Sequence, residues 1–252
     1  MTNIVMGLVG FGVIFLSGVL ILGLAAIRRK SSPVFREIPA ITHLKQAIGR
    51  VVEDGTRLHV SLGRGALVTP QSASALAGLT LLRQLAELTS AGDEPPIATS
   101  GDAALTILSQ DTLKMGAEAS AQGTYDPTAG RLTGLTPFSY AAGAIPTIRD
   151  ENISTNVLIG NFGVEVALLA DAAERANTFS IAGSDNLTAQ AVLYASAQEP
   201  LIGEELYAAG AYMDAGPVHL ASLRVQDILR WLIIVVILIG ALVQLLRAVG
   251  IL

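Results

Sequence analysis

The chain has no cysteine, few charges, three histidines and a single tryptophan in 252 residues. Without cysteine there are no disulfides, no thiolate metal sites and no thiol nucleophile. Only 15% of residues are charged and the net charge is −5, so nothing electrostatic favours nucleic acid as a partner. Motifs are scarce as well. There is no G-x-x-x-x-G-K-[ST] phosphate loop, no H-E-x-x-H metal pair and no G-x-S-x-G nucleophile elbow. His43, His59 and His219 fall on an early helix, a strand and a late helix, with no metal partner at useful spacing, and read as structural. No catalytic residue, cofactor or metal is therefore assigned, and an enzyme is the weakest functional class.

What the sequence has in quantity is apolar residues, 51% of the total. Two runs carry the excess. From Ile4 to Ile27 Ser17 is the one clearly polar side chain, and Trp231 to Leu246 is interrupted by Gln244 alone. About 20 apolar residues cross a bilayer core, so both runs read as transmembrane helices and the lipid bilayer as a partner. The first is a retained anchor rather than a secretory signal, because "MTN" carries no basic side chain and Arg28, Arg29 and Lys30 follow the run instead. Lys and Arg collect on cytoplasmic flanks. That cluster, with Arg36, Arg224 and Arg230, places the central region in the cytoplasm and both termini outside, in a cell inner (plasma) membrane. The asparagine sequons at Asn152 and Asn186 are then chance matches.

Between the anchors, short apolar strands alternate with helices. "TRLHVSLGRG", "PPIATSGD", "NVLIGNFG" and "TFSIAGSDN" each end in glycine plus small polar residues and run straight into a helix. Such alternation specifies an α/β fold, Rossmann-like, with a largely parallel sheet and helices on both faces. Thr69 is the expected N-cap of the first such helix with Pro70 at its first position, and Ser100 or Asp102 of the second. The organisation expected is an N-terminal transmembrane helix (1–27), a juxtamembrane linker and helix (28–55), the α/β domain (56–216) and a helix continuing into the C-terminal transmembrane helix (217–252). Within the domain, 123–155 is rich in Gly, Pro and Thr and reads as an inserted hairpin and short helix, a lid or contact arm.

In a parallel sheet the strand-to-helix turns share the carboxyl edge, where helix N-termini present free N–H groups. The candidate ligand residues are Gly63, Arg64 and Gly65; Ser100, Gly101 and Asp102; Gly160, Asn161 and Gly163; and Gly183, Ser184 and Asp185. An arginine beside such a turn suits a small anionic ligand, phosphate or carboxylate. An oligomer salt bridge or an exposed loop suits it as well, and turn geometry accounts for the glycines. Asp102 and Asp185 read as caps before acid and base, while Asp150, Glu151, Glu204 and Glu205 read as solvated surface.

On the first anchor, Gly7, Gly10, Ser17, Gly18 and Ala25 share about a third of the helix circumference at 100° per residue. Small residues let helices approach closely in lipid, which makes this a candidate helix-packing face. The stretch "AGSDNLTAQAVLYASAQEPLIGEELYAAGAYM" followed by "SLRVQDILRWLIIVVILIGAL" resembles a group of bacterial membrane proteins of no assigned function that have a soluble α/β domain and a C-terminal transmembrane helix. The resemblance implies bacterial membrane localisation and no activity. Two functions follow: a homo-oligomeric scaffold or assembly component, and alternatively a tethered sensor of a nucleotide-like or other anionic metabolite.

Overall fold

The computed structural model describes residues 2–27, 36–69, 72–119, 125–213 and 216–248. The chain divides into two compact units, residues 1–35 with 216–252, and residues 36–215.

In the first unit, helix α1 (Thr2–Ile27) packs against helix α9 (Pro217–Ala248). Both are long and apolar enough to cross a membrane, each with mean hydropathy 2.6 over an 18-residue stretch. Their large side chains, from Val5 to Leu22 and from Trp231 to Leu245, are predominantly exposed. No break separates the segment after Pro217 from the apolar run, as its unpunctuated sequence implies. The basic cluster 28–30 and the linker to residue 35 lie outside the described residues.

The second unit begins with helix α2 (Pro39–Glu53), started by a proline at its first turn and stopped by Gly55 in the left-handed region (φ 61°). Its Ile41, Leu44, Ile48 and Val51 enter the unit's hydrophobic core, so α2 packs as part of the α/β unit. Strands and helices then alternate: β1 (Arg57–Gly63), α3 (Ser72–Thr89), β2 (Ile97–Ser100), α4 (Ala103–Glu118), β3 (Gly130–Leu132), α5 (Pro137–Asp150), β4 (Ile153–Asn161), α6 (Val166–Arg175), β5 (Phe179–Ser184), α7 (Leu187–Ser196), β6 (Glu199–Leu201) and α8 (Glu205–Tyr212). The sheet order is β3-β2-β1-β4-β5-β6 and every pairing is parallel. The order reverses between β1 and β4, which makes that junction the topological switch point of a Rossmann-like sheet.

Alternation along the strands builds two cores. Leu58, Val60, Leu62, Val157, Ile159 and Ile181 pack under α2, α3, α4 and α8. Leu158 and Ala182 face the other way, under α5, α6 and α7. Central strands buried on both faces read as near-continuous apolar runs, which is why β1, β4 and β5 were legible.

Two expectations are corrected. The stretch 123–155, of which 123–124 lie outside the described residues, holds no hairpin: residues 130–132 form β3, parallel to β2, and 137–150 form a full helix over the sheet. It is an integral β–α unit and no inserted arm. A three-residue strand offers no periodicity to detect, and Pro146 inside α5 concealed the full length of the short helix expected after Thr136. Glu151 and Glu205 are not merely solvated. Glu151 bonds both Arg57 and Arg131, joining β1 to β3 at the amino edge, and Glu205 pairs with Arg36 at 2.5 Å.

Candidate functional site

The glycine turns converge at the carboxyl edge of the sheet and are stitched to one another. The Arg64 amide donates to the Asn161 carbonyl (2.8 Å) and the Gly101 amide to the Gly63 carbonyl (2.8 Å), joining the loops after β1, β4 and β2. Gly63 is obligatory here. Its φ is +68°, and a Cβ would penetrate the Asn161 carbonyl oxygen. At Gly160 a Cβ would meet the Leu62 carbonyl oxygen across the β1–β4 junction. Arg64 lays its stem across Gly101.

The amides that a bound anion would use are engaged by this chain's own side chains. Gly163 donates to Glu165 Oε1 (2.9 Å), Phe162 to Ser184 Oγ (3.1 Å) and Leu105 to Asp102 Oδ1 (2.9 Å). Asp102 is the N-cap of α4, while at α7 the cap is Asn186, bonded to the Thr188 amide at 2.9 Å. Asp185 instead receives Ser74 Oγ (2.9 Å) and Asn161 Nδ2 (2.7 Å), fastening α3 to β4. Thr69 hydrogen-bonds back to the Ala66 carbonyl (2.8 Å), and Pro70 lies outside the described residues. Ser100 Oγ bonds Thr106 Oγ1 at 2.5 Å. Gly65, Ser100, Gly101, Gly183 and Ser184 are buried, with Gly183 against Leu201 and Leu206.

Glu165 is the residue that sequence reading passed over. Its side chain is 1% exposed, and its Oε1 also accepts from Arg64 Nε at 3.3 Å. An acidic residue at a helix N-terminus is ordinary because the helix dipole favours it there, so the sequence held no sign of burial. Arg64 is 24% exposed, and among the described residues its Nη groups have no partner.

Beneath the switch point lies a second feature, a buried polar cluster between β1, β2, β4 and α5. His59 Nδ1 bonds Asn156 Oδ1 (2.6 Å) and His59 Nε2 bonds Thr99 Oγ1 (2.9 Å). The Tyr140 hydroxyl bonds Ser61 Oγ and accepts from the Gly63 amide at 3.3 Å. Burial pushes the His59 pKa down to about 4 and raises that of Tyr140, so both are neutral at pH 7. Among the described residues Asn156 Nδ2 and Thr133 Oγ1 are buried without a partner. His43 sits apart, 2.6 Å from Glu199. Among the described residues no group of three or more potential ligands is placed to hold a metal ion.

On helix α1 Ala25 is buried and Ser17 and Gly18 are partly covered, whereas Gly7 and Gly10 are exposed with open space where a Cβ would stand. Ser17 Oγ is satisfied within the helix by the Val13 carbonyl (2.7 Å).

A family model described as a domain of unknown function, DUF6754, matches residues 3–251. The chain belongs to that family. The match spans both apolar helices and the α/β unit, so the DUF6754 domain includes its helical ends. No curated protein matches the chain, and no solved structure does.

Proposed function

We propose that this protein is a scaffold of the bacterial inner membrane, in which two spanning helices hold a cytoplasmic α/β domain and copies assemble into a homo-oligomer. The observation that carries the reading is the self-occupied carboxyl edge. Glu165, Asp102 and Asp185 stand where an anionic ligand would bind, and their charges repel one. The exposed apolar surfaces of α1 and α9 are stable in lipid and costly in water. Gly7 and Gly10 leave room for a second helix to approach closely. Bacterial origin is supported by the resemblance of the last 75 or so residues, and the cytoplasmic side by the basic residues after the first anchor.

The second reading, a sensor of an anionic metabolite, is favoured by the unpartnered Nη groups of Arg64 at the switch point. Native mass spectrometry of protein gently extracted from its membrane separates the two. A defined oligomer without added mass supports the scaffold, and a monomer overturns it. A reproducible adduct of a few hundred daltons transfers support to the sensor.

A further inference from the structure

Large apolar side chains are exposed at the N-termini of three neighbouring helices, all on the α5–α6–α7 side of the carboxyl edge. Leu135 is 68% exposed and Phe138 63% at the start of α5, Val164 is 50% exposed just before α6, and Leu187 is 81% exposed as the first residue of α7. Helix α6 packs on both α5 and α7, so the four residues form a row across the layer, with Leu168 of α6 (43% exposed) behind it. In water such a row is unfavourable, and contiguous exposed apolar patches mark interaction sites.

We infer that this row is the contact through which two copies of the chain pair, an inference resting on the homo-oligomeric reading above. Charge selects the occupant. The residues interleaved with the row are Thr136, Pro137, Gly163, Asn186 and Thr188, all uncharged, while the nearby Glu165 is buried against Arg64 and Asp185 is engaged by Ser74 and Asn161. A two-fold contact sets the same patch of both copies face to face, so a charged patch repels itself and a neutral one does not. A chain of net charge −5 meets itself most favourably where its surface is neutral. An anionic bilayer surface attracts basic side chains, and the row offers none. Size agrees too. A standard interface covers about 800 Å² per partner, somewhat over half of it apolar, and five large side chains between two-fifths and four-fifths exposed supply an area of that order.

The natural absence of cysteine makes the test direct. Full-length Val164→Cys protein, at the middle of the row, and the Phe138→Cys/Leu187→Cys double variant, whose two ends meet crosswise about the two-fold axis, oxidised in their own membranes, are expected to run as disulfide-linked dimers. Leu88→Cys, 51% exposed near the C-terminal end of α3, is expected to stay monomeric. Phe138→Glu should lower the oligomer mass on native spectrometry and leave the thermal unfolding of the domain unchanged. Cross-linking absent from the row, or equal at Leu88→Cys, overturns this surface even when native spectrometry still reports an oligomer. A monomeric wild-type protein overturns the surface and the scaffold together.

Discussion

Arg64 Nε lies 3.3 Å from Oε1 of Glu165, a carboxylate 1% exposed at the start of α6 that also takes the Gly163 amide proton. One side chain thus satisfies the loop after β4 and the arginine after β1, across the point where strand order reverses. The pair closes from inside the position where folds of this order leave a crevice.

Removing that carboxylate leaves a buried amide and a guanidinium without their acceptor. Glu165→Ala is expected to cost about 1–3 kcal/mol, and Glu165→Gln less because its amide oxygen still accepts from Gly163. Thermal unfolding followed by circular dichroism reads both. A Glu165→Ala protein as stable as wild type removes the pair from any structural role.

Acidification should weaken the domain through His59. Its folded pKa, about 4, lies below the unfolded value of 6.5, so the folded state holds it neutral while the unfolded state takes up a proton. Stability is full above pH 6.5 and falls as pH drops toward 4, by on the order of 3 kcal/mol. Glu151, held low by its bond to Arg131, adds loss in the same direction as pH falls through its folded value. Melting temperature against pH is expected to be flatter for His59→Gln than for wild type between pH 6.5 and 4. Parallel profiles would assign the acid sensitivity elsewhere.

Tyr140→Phe keeps the ring packed on Phe162 but deletes the acceptor of the Gly63 amide and the partner of Ser61. Leaving those groups unmet should cost about 1–3 kcal/mol. Amide exchange at Gly63 offers a local readout, expected to quicken in the variant; exchange as slow as in wild type would mean that the hydroxyl does not hold this strand end.

Gly63 and Gly203 share a left-handed backbone, φ 68° and 64°, and differ in surroundings. Alanine at 203 has open space and should cost only the conformational penalty of about 1–2 kcal/mol. At 63 the Asn161 carbonyl blocks the new Cβ, so Gly63→Ala should be clearly the more destabilising. Equal losses in a urea titration would show that the β1–β4 junction relaxes freely.

At Gly10 nothing among the described residues lies within 4 Å of an added Cβ, so Gly10→Leu meets no neighbour there. It should leave domain unfolding unchanged and shift the detergent-extracted protein toward lower oligomers. An unaltered mass rejects the glycine face as a packing surface.

Much of the architecture was legible locally. The apolar lengths of Ile4–Ile27 and Trp231–Leu246, and the glycine-ended runs around β1, β2, β4 and β5, follow from the chain's own periodicity, because burial on both faces demands continuous apolar strands. The cap at Asp102 was legible for the same local reason, since a carboxylate before a helix bonds its first amides. The strands β3 and β6 escaped notice because three residues carry no period, and "GRL" and "EPL" become strands through the neighbours they pair with. Arg64 and the glycine turns were located at the edge, but their use was not, as hydrogen bonds between loops 38 to 101 residues apart leave no local pattern.

By itself, then, the sequence determined two apolar helices, an alternating α/β unit between them and the positions of the turns, all consequences of hydrophobic periodicity and backbone chemistry read a few residues at a time. Tertiary structure alone decided what fills the carboxyl edge. Whether Glu165 faces solvent or Arg64, and whether His59 meets Asn156 and Thr99, depends on strands brought together from opposite halves of the fold, where burial converts ordinary polar residues into obligatory partners.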